Sequence, residues 1–145
     1  MKYFAYGSNM DKERMIERGL DFTSRQFGKL DGYKLAFNKK SKQGMAANIE
    51  PSNYNYIEGV IYDFPDKNIN YLDSKEGYPN HYDRIQVTVI DSDGTSIQAT
   101  TYIAMHDKIV NGHSPNREYL NHLLAGQDIL SKEYFDKLSK TQTCD

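Results

Sequence analysis

Apolar and polar positions change period several times along this chain, and each change marks an element. Residues 2–6 form a short aromatic and apolar run, the pattern of a buried strand. Over residues 11–18, Met10, Arg14 and Ile16 mix with charges, which reads as a helix stopped by Gly19 and capped by Asn9 or Asp11. Residues 22–37 carry strand-forming side chains, broken at Asp31-Gly32 as by a turn. The polar run Lys39-Lys40-Ser41-Lys42-Gln43-Gly44 reads as a solvated loop, and residues 45–50 as a short extended piece ended by Pro51. Residues 56–64 are the clearest strand, with Ile57, Val60, Ile61, Tyr62 and Phe64 ahead of Pro65.

In the second half, Ile69 and Leu72 at helical spacing predict a short helix over residues 67–75, closed by Gly77, Pro79 and Asn80. Two β-rich runs, 82–90 and 95–104, flank Asp91-Ser92-Asp93-Gly94, a hairpin signal. A loop follows over 109–115. Tyr119, Leu120, Leu123 and Leu124 then share one face of a helix over 116–125, with Gly126 as its C-cap. Ser131 opens a last helix that runs to Lys140. About six strands and four short helices, joined by both hairpins and helices, predict a mixed α+β fold. Its sheet is small and curled or closed into a barrel, rather than doubly wound and parallel. With 145 residues, one domain over 1–145 is expected.

Composition narrows the function classes. The net charge is −2 with acids and bases interspersed, so nothing points to nucleic acid or an anionic membrane, and a mixed-charge surface fits a monomer or a homodimer. No apolar stretch approaches the length of a membrane span, and no signal peptide is recognisable at the start, so a cytoplasmic protein is expected. Cys144 is the sole cysteine, which excludes an internal disulfide, and a chain end is a poor place for a nucleophile. Twelve tyrosines and no tryptophan suggest polar-edged packing or a site lined with hydroxyls.

Two motifs carry candidate chemistry. Tyr6-Gly7-Ser8-Asn9 ends the first strand and leads into a helix, and such a loop can aim several backbone N–H groups at a small anion. Read alone, it is more often an ordinary strand-to-helix turn, with Gly for its backbone freedom and Ser or Asn as an N-cap. It is neither a Walker loop nor a dinucleotide fingerprint, because the later Lys and Gly positions are missing. The second motif is Leu72-Asp73-Ser74-Lys75-Glu76-Gly77-Tyr78-Pro79. A carboxylate at a helix end among aromatic rings has its charged form desolvated and its pKa raised, which suits a general base near neutral pH. Asp73 and Glu76 lie one turn apart, and spacing does not choose between them. His81, His106, His113 and His122 lack metal-ligand spacing and read as surface or loop residues. Ser8 has no activating base nearby in sequence.

Together these pieces resemble the γ-glutamylcyclotransferases, whose fold is shared with γ-glutamylamine cyclotransferases and plant avirulence-induced proteins. The resemblance runs through Tyr3-Phe4-Ala5-Tyr6-Gly7-Ser8-Asn9, with Met10 where Leu is usual. It continues through Gly44-Met45-Ala46-Ala47-Asn48-Ile49, Glu58-Gly59-Val60-Ile61-Tyr62 and Leu72-Asp73-Ser74-Lys75-Glu76-Gly77. It ends with Ser114-Pro115-Asn116 to Tyr119 and Gly126, so it covers nearly the whole chain. It implies a small mixed β-barrel with flanking helices. It also implies a catalytic acid/base at Glu76 rather than Asp73, and a substrate loop at Tyr6, Gly7, Ser8 and Asn9. Tyr119 matches a tyrosine near the substrate, and Tyr82 or Tyr102 adds a further hydroxyl. The implied reaction closes a γ-glutamyl substrate to 5-oxoproline and frees its amine or amino acid, without a cofactor. Two other expectations stay open: removal of a γ-glutamyl protecting group from a biosynthetic amine, and a non-catalytic small-molecule-binding or stress-response domain that retains the pocket.

Overall fold

Two long strands frame the molecule. In the computed structural model, which describes Met1–Asp145, β2 (Ser24–Ser41) and β3 (Gly44–Asp63) pair antiparallel from Ser24↔Asp63 to Ser41↔Gly44. β1 (Lys2–Ala5) lies antiparallel to β3, with Lys2↔Asp63 and Ala5↔Val60. β4 (Tyr82–Ile90) and β5 (Ser96–Ala104) form the expected hairpin. The Asp91 carboxylate accepts the Asp93 and Thr95 N–H groups, each at 2.9 Å, and shapes the turn between them. β4 meets β2 at Lys29↔Ile90, and β5 meets β1 in parallel at Tyr3↔Thr100. The sheet therefore closes as a barrel in the order β1-β3-β2-β4-β5. Closure leaves no unpaired sheet edge.

The architecture is the mixed α+β barrel expected, but with five strands rather than about six. Residues 45–50 and 56–64 belong to one strand, β3, and Pro51 does not end it. The register passes from Asp31↔Tyr56 to Tyr33↔Pro51, so residues 52–55 loop out opposite Gly32. Gly32, at φ 85°, turns the backbone inside this bulge instead of making a hairpin. Pro51 lacks the N–H that an unbroken ladder would need, and the interruption accommodates it. The run 39–44 is likewise not a loop: Lys39, Lys40 and Ser41 pair with Ala46, Met45 and Gly44, and only Lys42 and Gln43 make the turn.

Strand alternation sorts the core into two clusters. Phe4, Leu30, Ile49, Ile57, Ile61, Val87, Val89 and Ala99 pack strand against strand. Tyr3, Ala5, Val60, Tyr62 and Phe64 face the helices, where Met15, Leu72, Leu120, Leu123 and Leu138 meet them. Those helices are α1 (Lys12–Glu17), α2 (Asn68–Glu76), α3 (Arg117–Leu124) and α4 (Lys132–Ser139). Asp11, Asn116 and Ser131 cap α1, α3 and α4 by accepting N–H groups two or three residues on. Ala125 rather than Gly126 caps α3 at its C-terminus, and a Cβ at Gly126 would lie 3.2 Å from that of Met10. No helix is long and apolar enough to cross a membrane.

Gly28 and Gly59 stand opposite each other on β2 and β3, and both lie under the Phe4 ring. A Cβ on Gly59 would strike the Ala5 carbonyl oxygen and sit 2.9 Å from Phe4. Backbone cannot yield as a flexible side chain can. Gly59→Ala should therefore cost about 1–3 kcal/mol or more in urea denaturation, in keeping with overpacking of a filled core. Wild-type stability in that variant would show that β1 can move away from β3.

Candidate functional site

The Tyr6-Gly7-Ser8-Asn9 segment leaves β1 and turns at once through a single 3-10 turn, Ser8–Met10. The Met10 and Asp11 N–H groups donate to the Gly7 and Ser8 carbonyls at 3.0 and 3.2 Å. Gly7 passes so close to two neighbours that a Cβ would lie 3.2 Å from Ala47 and 3.3 Å from the Tyr119 hydroxyl. The loop is held against β3 and α3 by that close approach.

Asn9 is buried, and its polar atoms are shared among four elements. Its Nδ2 donates to Glu76 Oε1 and to the Tyr3 hydroxyl, each at 3.0 Å. Its Oδ1 accepts from Arg18 at 2.9 Å, and its carbonyl accepts from the Tyr62 hydroxyl at 2.6 Å. Only one amide orientation satisfies the arginine and the carboxylate together. Glu76 is the last residue of α2, and Gly77, at φ 73°, turns the chain away behind it. The helix end thus delivers the carboxylate to the loop.

A cleft of about 290 Å³ opens beside Glu76. One wall carries Arg14, Arg18, Tyr119 and His122. Another is the end of the β2–β3 hairpin, with Lys39, Ser41 and residues 43–46. A recess of about 30 Å³ lies deeper, among Tyr3, Tyr6, Gly7, Asn9 and Tyr102. Ser8, Glu76, Tyr82 and Tyr119 border both spaces. Burial pushes the Glu76 carboxyl above its ordinary value; the nearby Arg18, Arg14 and Lys39 charges and the Asn9 hydrogen bond oppose that shift without cancelling it.

The tyrosines are fixed neutral groups. Tyr6 donates to the Tyr102 carbonyl at 2.7 Å, and Tyr82 to the Ala47 carbonyl at 2.8 Å. The Tyr119 hydroxyl accepts the Ala47 N–H at 2.8 Å, and burial pushes its pKa up to about 12. Tyr102 donates to Asp73 Oδ1 at 2.6 Å. Asp73, the rival carboxylate, also pairs with Arg84 at 3.2 Å and borders neither the cleft nor the recess.

Four polar side chains in the cleft escaped the sequence reading. Arg14 and Arg18, one turn apart on the helix after the loop, were legible from that spacing. His122 follows Tyr119 by three residues on α3, so it shares the site instead of lying in a loop. Its Nδ1 is 2.8 Å from Asp11 Oδ2, and its Nε2 is 3.5 Å from an Arg14 nitrogen. Lys39 gave no signal. It is 4% exposed rather than solvated, because a register shift between Ala36 and Lys39 turns it inward. Its ammonium lies 3.0 Å from His81 Nδ1 and 5.3 Å from the centre of the Tyr82 ring.

A family model described as gamma-glutamyl cyclotransferase, AIG2-like, matches residues 3–122. The chain belongs to that family. A bovine γ-glutamylcyclotransferase is 30% identical, over 99% of this chain and 79% of its own length. The human γ-glutamylcyclotransferase is 29% identical over the same shares. A solved γ-glutamyl cyclotransferase superposes with a TM-score of 0.88 at 28% identity, covering 100% of this chain and 89% of that one. The solved Bacillus subtilis protein YkqA gives 0.87 at 25% identity, over 99% of this chain and 55% of that one. The family is one of enzymes, and its shared barrel is the one described above.

The Asp73 contacts generate a stability test. Asp73→Ala leaves the buried Tyr102 hydroxyl without its acceptor and Arg84 without its partner. A loss of about 1–3 kcal/mol in chemical denaturation is expected. An unchanged midpoint would show that Tyr102 finds another acceptor.

Proposed function

We propose that this protein closes a γ-glutamyl amino acid or γ-glutamyl amine to 5-oxoproline by intramolecular aminolysis, with Glu76 as the proton carrier. The observation that supports this most is the placement of Glu76. It is a desolvated carboxylate at the junction of cleft and recess, held by Asn9 and faced by Ser8, Tyr82 and Tyr119.

In this reading the substrate's α-ammonium gives one proton to the Glu76 carboxylate, and the freed amine attacks the γ-carbonyl carbon of the same molecule. The carbonyl π electrons move onto oxygen, and the loop of Gly7, Ser8 and Asn9 faces that developing charge. The tetrahedral centre collapses, the bond to the leaving nitrogen breaks, and the lactam remains. Two protons leave the α-nitrogen and two reach the departing nitrogen, carried one at a time by Glu76, so no water is consumed. Nucleophile and electrophile share one molecule, so holding it folded supplies much of the rate. A raised pKa makes Glu76 a stronger base than an ordinary carboxylate once ionised and a ready acid once protonated. The Ser8 hydroxyl and Tyr119 orient the substrate, and Tyr6, Tyr82 and Tyr102 keep the walls rigid.

Glu76→Gln should lower 5-oxoproline release from γ-glutamylalanine by about a hundredfold to ten-thousandfold. A variant within tenfold of wild type would remove Glu76 from the proton path. Ser8→Ala should lose less than Glu76→Gln, because the backbone amides persist; a larger loss would point to serine chemistry.

The pH profile carries a second test. Activity needs Glu76 ionised at the start, and its folded pKa is raised. The acid limb of kcat/KM should therefore fall off above the ordinary carboxylate range, with activity present above that pKa and lost as pH drops through it. An acid limb at or below the usual carboxylate value would show that the cations outweigh burial.

A further inference from the structure

Lys39 is a buried cation with no carboxylate within ion-pair distance. An ammonium carries three donors. One meets His81 Nδ1 at 3.0 Å, while the face of Tyr82 lies beside the charge. Glu76 attracts the ammonium across the cleft without pairing with it; burying a charge with no carboxylate in contact is costly, and a fold that keeps one at a cleft wall holds it ready for an anion from solution. The approach of Lys39 also depresses the pKa of His81, so the imidazole stays a neutral acceptor near neutral pH and does not repel the ammonium.

Position indicates which anion. Lys39 borders the outer cleft but not the inner recess. It stands on the hairpin wall, beside Ser41, Gln43, Gly44, Met45 and Ala46, away from the loop that faces the reacting carbonyl in the proposed mechanism. In the proposed mechanism Ser8 and Tyr119 already orient the γ-glutamyl end. Arg18 is already engaged by Asn9. The cleft as a whole is lined by Arg14, Arg18, Lys39 and Lys75 against only Glu76 and Glu118. A γ-glutamyl end with its carboxylate and ammonium is neutral overall. A second carboxylate, on the leaving portion, would complement the excess of positive charge.

We infer that Lys39 is a specificity-determining residue that binds a carboxylate on the leaving portion of the substrate, so that the protein selects γ-glutamyl amino acids or peptides over γ-glutamyl amines. The inference rests on the cyclotransferase reading. It is tested with γ-glutamylalanine and γ-glutamylethylamide, which differ in the leaving-group carboxylate, by following 5-oxoproline. Wild-type kcat/KM should favour γ-glutamylalanine by at least about tenfold, the worth of one charge-assisted hydrogen bond. Lys39→Met and Lys39→Gln should each lower the kcat/KM preference for γ-glutamylalanine over γ-glutamylethylamide by about tenfold to a hundredfold, through KM rather than kcat, while any change in Glu76 titration shifts both substrates alike. Equal losses on both substrates, or no loss on either, overturn the inference. If neither variant folds, the wild-type ratio decides, and parity between the two substrates overturns it. Absence of 5-oxoproline from both substrates with wild-type protein overturns the cyclotransferase reading and this inference with it.

Discussion

Asn9 holds the site together through one side-chain amide and one carbonyl. Its hydrogen bonds reach Tyr3 on β1, Tyr62 on β3, Arg18 at the end of α1 and Glu76 at the end of α2. Inside a protein such a network is strong when every member is satisfied and costly when one is not. The amide cannot rotate without setting a carbonyl oxygen against the Glu76 carboxylate and an amino group against the Arg18 guanidinium. Loop, helix ends and barrel wall are therefore locked into one arrangement. The Arg18, Arg14 and Lys39 charges, with the Asn9 hydrogen bond added to them, limit the rise that burial imposes on the Glu76 pKa.

The barrel contributes by being closed and irregular. Closure holds β1 between β3 and β5, so the loop leaving β1 starts from a fixed point. Irregularity makes the cleft. The shift between Ala36 and Lys39 turns the hairpin's end over the site and points Lys39 inward. Bulges characteristically re-aim side chains in this way. Close approach does the rest: Gly7 lets Ala47 and Tyr119 touch the loop, and Gly28 with Gly59 leaves room for Phe4 beneath it.

The tyrosines, prominent in the composition, divide by what their hydroxyls reach. Tyr3, Tyr62 and Tyr102 stack or meet edge to edge in the core while their hydroxyls serve Asn9 or Asp73. Tyr82 and Tyr119 line both the cleft and the recess. A tyrosine suits such a boundary because its ring packs with apolar neighbours and its tip answers a polar group. Phenylalanine would fill the core equally well, and would leave Asn9, Ala47 and Asp73 short of partners.

Local signals were enough for much of the fold. Alternation along residues 56–64, the Asp-Gly turn at 93–94, the Asp11 cap that was offered beside Asn9 and the helix start at Ser131 all reappear in the structure. These features depend on neighbours within a few residues. The resemblance through Tyr6-Gly7-Ser8-Asn9 and Leu72-Asp73-Ser74-Lys75-Glu76-Gly77 pointed to a family that the comparisons show. What the sequence left open was set across long separations. Asp31-Gly32 and Pro51 looked like ends of strands, because a bulge needs its partner strand to be recognised. Lys39 read as a solvated lysine, because its burial depends on the ribbon's register. Helical spacing did not separate Asp73 from Glu76, and only the resemblance pointed to Glu76; the tertiary structure ties one to Arg84 and Tyr102 and turns the other toward Asn9 and the cleft. Sequence by itself determined which segments form and which residues could do chemistry. Three-dimensional packing decided which of them meet, because burial and charge pairing are properties of neighbours that the chain brings together only when the barrel closes.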